Sequence, residues 1–186
     1  KEHQYWEKTR KRDKAILILF LTYGIRLFEL QQLNVSSFNF NRGEFKIYRK
    51  RDKEAIMPMN KSVTEVLRDY LDNERPSDEK IKEGHHDALF LSLQGRRMTE
   101  RAIRDLVKKY TSIGLATSRK GGYSPHKLRA TAATSLIGRG NSIFDVQALL
   151  DHEQLTTTQL YASHKMNVKR DLVSDMEWEL ERKERD

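Results

Sequence analysis

The chain has 186 residues, and 35 Lys and Arg against 27 Asp and Glu give it a formal net charge of +8. This length predicts one domain, and 37% hydrophobic residues are enough for a core, which argues against intrinsic disorder. The absence of cysteine excludes a disulfide scaffold, a thiolate zinc site and a cysteine nucleophile. The longest apolar run, residues 15–21, is too short for a membrane span of about 20 residues.

The first third of the chain predicts two helices followed by a small sheet. An apolar periodic stretch predicts a helix over residues 4–23 that ends at Gly24, and leucines at steps of three predict a short second helix near Leu27. Short segments of alternating polarity then predict three antiparallel strands, at residues 38–41, 45–49 and 55–59. Since proline cannot donate to a sheet ladder, Pro58 predicts that the third strand is an edge.

The rest of the chain predicts helices and loops. Four helices are expected to start after residues that can cap a helix, namely Asn60, Thr99, Ser124 and Ser142. Residues 165–186 predict a charged amphipathic tail helix whose apolar positions are Val168, Leu172, Val173, Met176 and Leu180. We therefore expect a mainly α fold with a small three-stranded antiparallel sheet, formed by a body of residues 1–164 and this tail.

The charge is unevenly distributed along the chain. Residues 96–129 contain ten basic residues and two acidic ones, whereas residues 171–186 contain seven acidic and three basic ones. A clustered basic region of this kind, in a chain with a sequence pI near 9.6, predicts binding to a polyanion, and the polyanion we expect is nucleic acid. Charge alone does not exclude an alternative, in which the basic surface keeps the protein soluble and binds no polyanion.

Four short segments stand out by their residue types and spacing. They are Gly24-Ile25-Arg26-Leu27-Phe28-Glu29-Leu30, His126-Lys127-Leu128-Arg129, Leu149-Leu150-Asp151-His152, and Tyr161, nine residues after His152. Each alone is weak evidence, but their order and spacing together resemble the tyrosine recombinase (phage integrase) family. The resemblance extends from about residue 12 to about residue 164. It implies the fold of that family's catalytic domain, which type IB topoisomerases share, and we expect the family's N-terminal core-binding domain to be absent.

The resemblance also implies a set of catalytic residues. They are Arg26, Lys50, His126, Arg129, His152 and the nucleophile Tyr161. Two positions depart from the family's pattern: Asp151 stands where glycine is usual, and Arg49-Lys50-Arg51 stands where Gly-Lys-Gly is common. Because of the second departure, Lys53 is an alternative to Lys50 as the catalytic lysine.

The chemistry of strand cleavage explains why these residue types are needed. A pair of guanidiniums, Arg26 and Arg129, can bind the nonbridging oxygens of a phosphodiester while negative charge builds up on them. A phenol with an ordinary pKa of about 10 needs a base, for which His126 is the candidate. Lys50 can protonate the departing 5′ oxygen, and His152 can donate a hydrogen bond to the phosphate.

The basic residues outside this set predict the DNA-binding surface. They are Arg49, Arg51, Lys53, Arg96, Arg97, Arg119, Lys120 and Lys127. The partner we expect is double-stranded DNA, bound by a homotetramer on paired sites, with a monomer possible without DNA and no membrane contact. A phosphotyrosine link stores the energy of the broken bond, so we expect no metal and no cofactor. The expected location is the cytoplasm, on the nucleoid.

Single residues and the chain as a whole also allow different interpretations. Arg26 can form an ordinary surface pair with Glu29, and a lone His or Tyr is more often structural than catalytic.

A type IB topoisomerase would use nearly the same active site. A noncatalytic DNA-binding module is a third possibility, with residues 142–150 as the second helix of a helix-turn-helix. It would give Arg26, Lys50 and Tyr161 no role.

Overall fold

The computed structural model describes residues 7–49, 53–150, 168–174 and 176. Within these residues the chain forms one three-stranded sheet, and its helices and strands as far as residue 150 are α1 (Arg10–Tyr23), α2 (Leu27–Gln31), β1 (Phe38–Asn39), β2 (Glu44–Arg49), β3 (Lys53–Pro58), α3 (Lys61–Asn73), α4 (Glu100–Gly114), α5 (Pro125–Gly138) and α6 (Ile143–Leu150). Short 3₁₀ turns lie at Val35–Ser37, Asp78–Lys80 and Arg119–Gly121, and residues 168–174 are helical. The predicted class, mainly α with a small antiparallel sheet, is confirmed.

The predicted helix starts are confirmed by capping hydrogen bonds. At the start of α3 to α6, a side-chain oxygen of the residue before the helix accepts a bond of 2.9–3.3 Å from a backbone N–H of the first turn. These residues are Asn60, Thr99, Ser124 and Ser142. Each bond satisfies a donor that the helix itself cannot pair, which fixes where the helix begins.

The helix predicted over residues 4–23 is interrupted in its described part. Residue 7 is helical, residues 8–9 form a turn, and α1 begins at Arg10. The reason is a cap supplied from far along the chain: the Glu74 carboxylate accepts the backbone N–H groups of Lys11 and Arg12, both at 2.8 Å. Such a long-range cap leaves no local trace in the sequence.

The sheet has the order β1-β2-β3, and both pairs are antiparallel. In its register Phe45 pairs with Phe38 on one side and Met57 on the other, and Pro58 lies opposite Glu44 on the outer strand, so the predicted edge is confirmed. Along β2, alternate residues are buried, and this alternation places Arg49 on the buried side of the sheet.

Helix α1 runs through the core. Most of its apolar side chains are fully buried, including Ala15, Ile16, Leu19 and Phe20, and the helix packs against α3, α4 and α5. No helix in the described part of the chain is long and apolar enough to cross a membrane. The apolar run at residues 15–21 is therefore a core helix segment, as its length predicts.

The described part of the tail folds back onto the body of the same chain. Leu172, Val173 and Met176 are buried in the main core. The side-chain amide of Asn60 donates to the carbonyl oxygen of Val173 at 2.9 Å, so one residue both caps α3 and holds the tail. Leu180 lies outside the described residues.

Removing one of these tail side chains should destabilise the whole protein. We expect Leu172→Ala to lower the free energy of unfolding by about 2–5 kcal/mol, because it leaves a cavity in the main core. Ser174→Ala, an exposed change on the same segment, should stay within about 0.5 kcal/mol of the original protein. Urea denaturation followed by circular dichroism measures both changes. Equal stability of the two variants would show that the tail is not part of the core.

Candidate active site

A pocket of about 470 Å³ lies where the start of α2, the start of α5 and one side of α4 meet. Three of the six predicted catalytic residues line it: Arg26, His126 and Arg129. They come from two parts of the chain about a hundred residues apart, and the fold brings them together.

Arg129 is held in place by two backbone carbonyls. Its Nη1 donates to the carbonyl oxygen of Gly24 and its Nη2 to that of Leu150, both at 2.5 Å. Gly24 is the C-cap that follows α1, and Leu150 is the last residue of α6. Because both acceptors are neutral, these bonds orient the guanidinium without cancelling its positive charge.

Gly24 is required at this position for two reasons. Its φ of +54° lies in the left-handed region, a backbone conformation that residues other than glycine rarely adopt. A Cβ there would also collide with the side chain of Leu150. The glycine that begins the sequence motif therefore allows α1 to end against α6, at the point where both supply acceptors for Arg129.

Arg26 is oriented by a buried carboxylate. Its Nη1 donates to Glu29 Oε1 at 3.1 Å, and its backbone N–H donates to Glu29 Oε2 at 2.9 Å. The Glu29 side chain is 3% exposed, whereas that of Arg26 is 41% exposed and reaches the pocket. This differs from an ordinary surface pair between two solvated side chains, since one partner is fixed within the core.

His126 lies in the first turn of α5 and is exposed to solvent at the pocket. Pro125 occupies the first position of this helix, where its missing N–H costs no hydrogen bond. The positive end of the dipole of α5 therefore faces the pocket together with Arg26 and Arg129. Such a combination of a helix N-terminus and two guanidiniums favours a bound anion such as a phosphate.

Several predicted site residues lie outside the described part of the chain. Lys50, His152 and Tyr161 are among them, and so are Arg51 and Asp151. Lys53 begins β3, but its side chain is likewise not described. In sequence, Lys50 directly follows the end of β2, and His152 comes two residues after Leu150.

One arginine predicted to bind DNA lies inside the protein instead. Arg49 is 9% exposed, and its Nη2 donates to the carbonyl oxygen of Leu149 at 3.2 Å, which joins the end of β2 to the end of α6. The cause is the alternation along β2, which turns this residue inward. We therefore correct the assignment of Arg49 from the DNA surface to the interior.

Arg97, a second residue predicted to bind DNA, has hydrogen bonds within the protein. Its guanidinium donates to the carbonyl oxygens of Gln31 at 3.0 Å and Leu33 at 2.8 Å and to the side chain of Asn34. Burial lowers the pKa of Arg97, and the nearby charge of Asp87 opposes that shift. Its donors satisfy carbonyls at the end of α2 and in the loop after it, so this half-buried side chain supports the loop. That it also contacts DNA stays a prediction.

The remaining predicted DNA-binding residues in the described part are exposed. They are Arg96, Arg119, Lys120 and Lys127. Lys127 Nζ lies 4.3 Å from the centroid of the Tyr123 ring, a cation–π contact next to the pocket residue His126. These four side chains are available to a large anionic partner.

The sequence-based prediction of the site did not include one basic residue of the pocket. Arg104 of α4 lines the pocket together with Arg26, His126 and Arg129. The sequence showed it as one of many basic residues after residue 96, and the buried positions Ile103 and Val107 indicate only which side of α4 faces the core. Which exposed side faces the pocket depends on how α4 packs, and no local pattern shows that.

These observations describe a pocket lined by cationic side chains on a mainly helical domain. A model of the phage integrase family matches residues 2–167. The tyrosine recombinase XerD of Staphylococcus haemolyticus is 37% identical over 150 residues, which are 81% of this chain and 49% of that protein. The tyrosine recombinase XerC of Natranaerobius thermophilus is 39% identical over 154 residues, 81% of this chain and 50% of that protein.

Solved structures show the same fold. XerA recombinase superposes with a TM-score of 0.64 at 25% identity, over 94% of this chain and 62% of that one. XerH site-specific recombinase, in a complex with its difH substrate, gives a TM-score of 0.64 at 22% identity, over 90% of this chain and 43% of that one.

The chain belongs to the phage integrase family. It spans about half the length of the relatives that it matches in sequence. The resemblance drawn from the four short motifs is thereby confirmed.

Proposed function

We propose that this chain is the catalytic part of a site-specific tyrosine recombinase, which cuts and rejoins DNA through a 3′-phosphotyrosine during integration or excision of DNA. The observation that carries the proposal is the convergence of Arg26, His126 and Arg129 on one pocket. The relatives named tyrosine recombinases support it.

In this proposal, the scissile phosphate occupies the pocket. Arg26 and Arg129 bind its nonbridging oxygens, and they stabilise the extra negative charge of the transition state because Glu29 and two carbonyls already fix their positions. His152 adds a hydrogen bond to the same oxygens. The two guanidiniums therefore need little reorientation when the transition state forms.

The covalent step exchanges one phosphodiester bond for another. The Tyr161 hydroxyl oxygen attacks phosphorus and its proton passes to His126, while the bond from phosphorus to the 5′ oxygen breaks. Lys50 gives a proton to the departing oxygen, which leaves as a 5′ hydroxyl. In the second step a 5′ hydroxyl from the partner duplex attacks the phosphotyrosine and releases Tyr161. No bond energy is lost to hydrolysis, so the cycle needs no cofactor.

The proposed assembly is a homotetramer on two duplexes that acts on the nucleoid. The exposed basic residues Arg96, Arg119, Lys120 and Lys127 supply contacts to the DNA backbone. The noncatalytic alternative is less well supported, because the end of α6 binds Arg129 and Arg49 and so supports the pocket.

Strand exchange tests this proposal and separates it from a topoisomerase. Target duplexes are first selected from a randomised pool by their retention on the protein under denaturing conditions. Two labelled duplexes of different length that carry the selected site should then exchange strands, in excess EDTA and without ATP. Relaxation of a supercoiled plasmid without any exchange would favour the topoisomerase. A strict magnesium requirement for cutting would contradict the proposed chemistry.

A further inference from the structure

We propose that Arg104 binds a second DNA phosphate, the one next to the scissile phosphate on the same strand. This inference rests on the proposed function for the identity of the anion. It concerns a residue that the motifs do not include and that lies on α4, away from the segments that supply Arg26, His126 and Arg129.

The size of the pocket is the first argument. Its volume of about 470 Å³ falls within the range of about 300–1,000 Å³ typical of sites for whole small molecules. One phosphate held between Arg26 and Arg129 leaves room beside it. On a DNA strand successive phosphates rise by only about 3.4 Å along the axis, so a bound strand brings a second phosphate to the same site.

The way Arg104 is held is the second argument. Its guanidinium lies 3.7 Å from a carboxylate oxygen of Glu100, one turn earlier on α4, and the two side chains are 46% and 43% exposed. Exposed pairs at this spacing contribute little to stability, so a phosphate can take the place of the carboxylate at small cost. Arg104 is therefore available to a ligand that arrives from solvent.

The contrast with Arg129 indicates which role Arg104 has. Two short bonds to backbone carbonyls fix Arg129, as transition-state stabilisation requires. The contact of Arg104 is longer, and its partner, Glu100, is exposed to solvent. A side chain held in this way suits binding of the uncleaved DNA rather than recognition of the reacting phosphorus, so we assign it to affinity and not to the rate of the covalent step.

The salt dependence of DNA binding tests this assignment. For binding of a short random-sequence duplex, Arg104→Gln should weaken affinity by about five- to tenfold and reduce the slope of log K against log salt by about 0.9, the value of one phosphate contact on B-DNA. Arg104→Lys keeps the charge and should keep the slope. Fluorescence anisotropy between about 50 and 200 mM salt measures both quantities.

Arg42 offers a matched control. It also lies 3.7 Å from a glutamate, Glu44, its side chain is 75% exposed, and it does not line the pocket. It precedes β2, whereas Lys50 follows that strand in the sequence. Arg42→Gln removes the same charge and should leave the slope unchanged, so a general effect of net charge is distinguished from a specific contact.

Two outcomes would overturn the inference. One is the same slope for Arg104→Gln and Arg42→Gln. The other is a cleavage rate at saturating DNA that falls more than about tenfold in Arg104→Gln, which would place Arg104 with the transition-state groups. The binding assay does not depend on Tyr161. Failure of the chain to form any covalent adduct would therefore contradict the proposed function without affecting this result.

Discussion

Replacing Tyr161 by phenylalanine should abolish the covalent complex between protein and DNA while leaving noncovalent binding intact. The change removes one oxygen, the atom that we propose attacks phosphorus, and leaves the ring. No other group in the proposed mechanism can form the bond in its place. The measurement is a denaturing gel with a nicked target duplex, on which a covalent adduct migrates more slowly than DNA alone.

Tyr48 provides the control for this variant. It is an exposed tyrosine on β2, so Tyr48→Phe removes an equivalent hydroxyl from another accessible position. We expect that variant to form the adduct at the original rate. An adduct in the Tyr161→Phe protein would refute the assignment of the nucleophile.

The second large effect is expected at Arg129. Arg129→Ala should lower the single-turnover rate of cleavage at saturating DNA by about 10²–10³-fold, the usual consequence of removing one oriented donor to a developing charge. DNA affinity should fall much less, since the other basic residues keep their backbone contacts. Arg129→Lys should also cleave DNA more slowly. The ammonium of lysine lacks the planar fork of N–H groups by which the guanidinium donates to the carbonyl oxygens of Gly24 and Leu150 at the same time.

Loss of the two carbonyl bonds also affects folding, and a second readout separates the two effects. Unpaired buried carbonyls cost about 1–3 kcal/mol each, so the melting temperature of Arg129→Ala should fall as well. Cleavage is therefore measured below the melting transition of that variant, with Arg42→Ala as the control that retains both activity and stability. Cleavage by Arg129→Ala at the original rate would contradict the role of this guanidinium.

Much of the local structure could be predicted from the sequence because local chemistry determines it. The caps at Asn60, Thr99, Ser124 and Ser142 and the edge strand at Pro58 follow from hydrogen bonding within a few residues. The start of α1 could not be predicted in this way, because its cap, Glu74, is more than sixty residues away.

The arginines show most clearly where sequence reasoning fails. Burial of Arg49 is consistent with the alternation that buries Phe45 and Ile47, yet its charge favoured an exposed role. Arg97 and Arg104 look equivalent in a basic stretch, but one bonds the carbonyls after α2 and the other lines the pocket. Their different roles depend on tertiary packing, which a local sequence pattern does not show.

The tail illustrates a different limit. Its amphipathic pattern predicts an apolar side correctly, but the same pattern fits docking on a neighbouring subunit and folding back on its own body. In the structure, the bond from Asn60 to Val173 and the burial of Leu172, Val173 and Met176 place the apolar side chains of the described tail in the chain's own core. A pattern of polarity specifies which side is covered and cannot specify what covers it.

The most direct test of the central claim is to locate the covalent link itself. Trypsin cuts after Arg139 and Lys165, and the peptide between them contains Tyr161 as its single tyrosine. After reaction with a nicked target duplex in EDTA and digestion of the DNA, tandem mass spectrometry should find a nucleotide esterified through its 3′ phosphate to Tyr161. A link on a serine or threonine of the same peptide, or cut DNA with a 3′ phosphate and no attached peptide, would contradict the account.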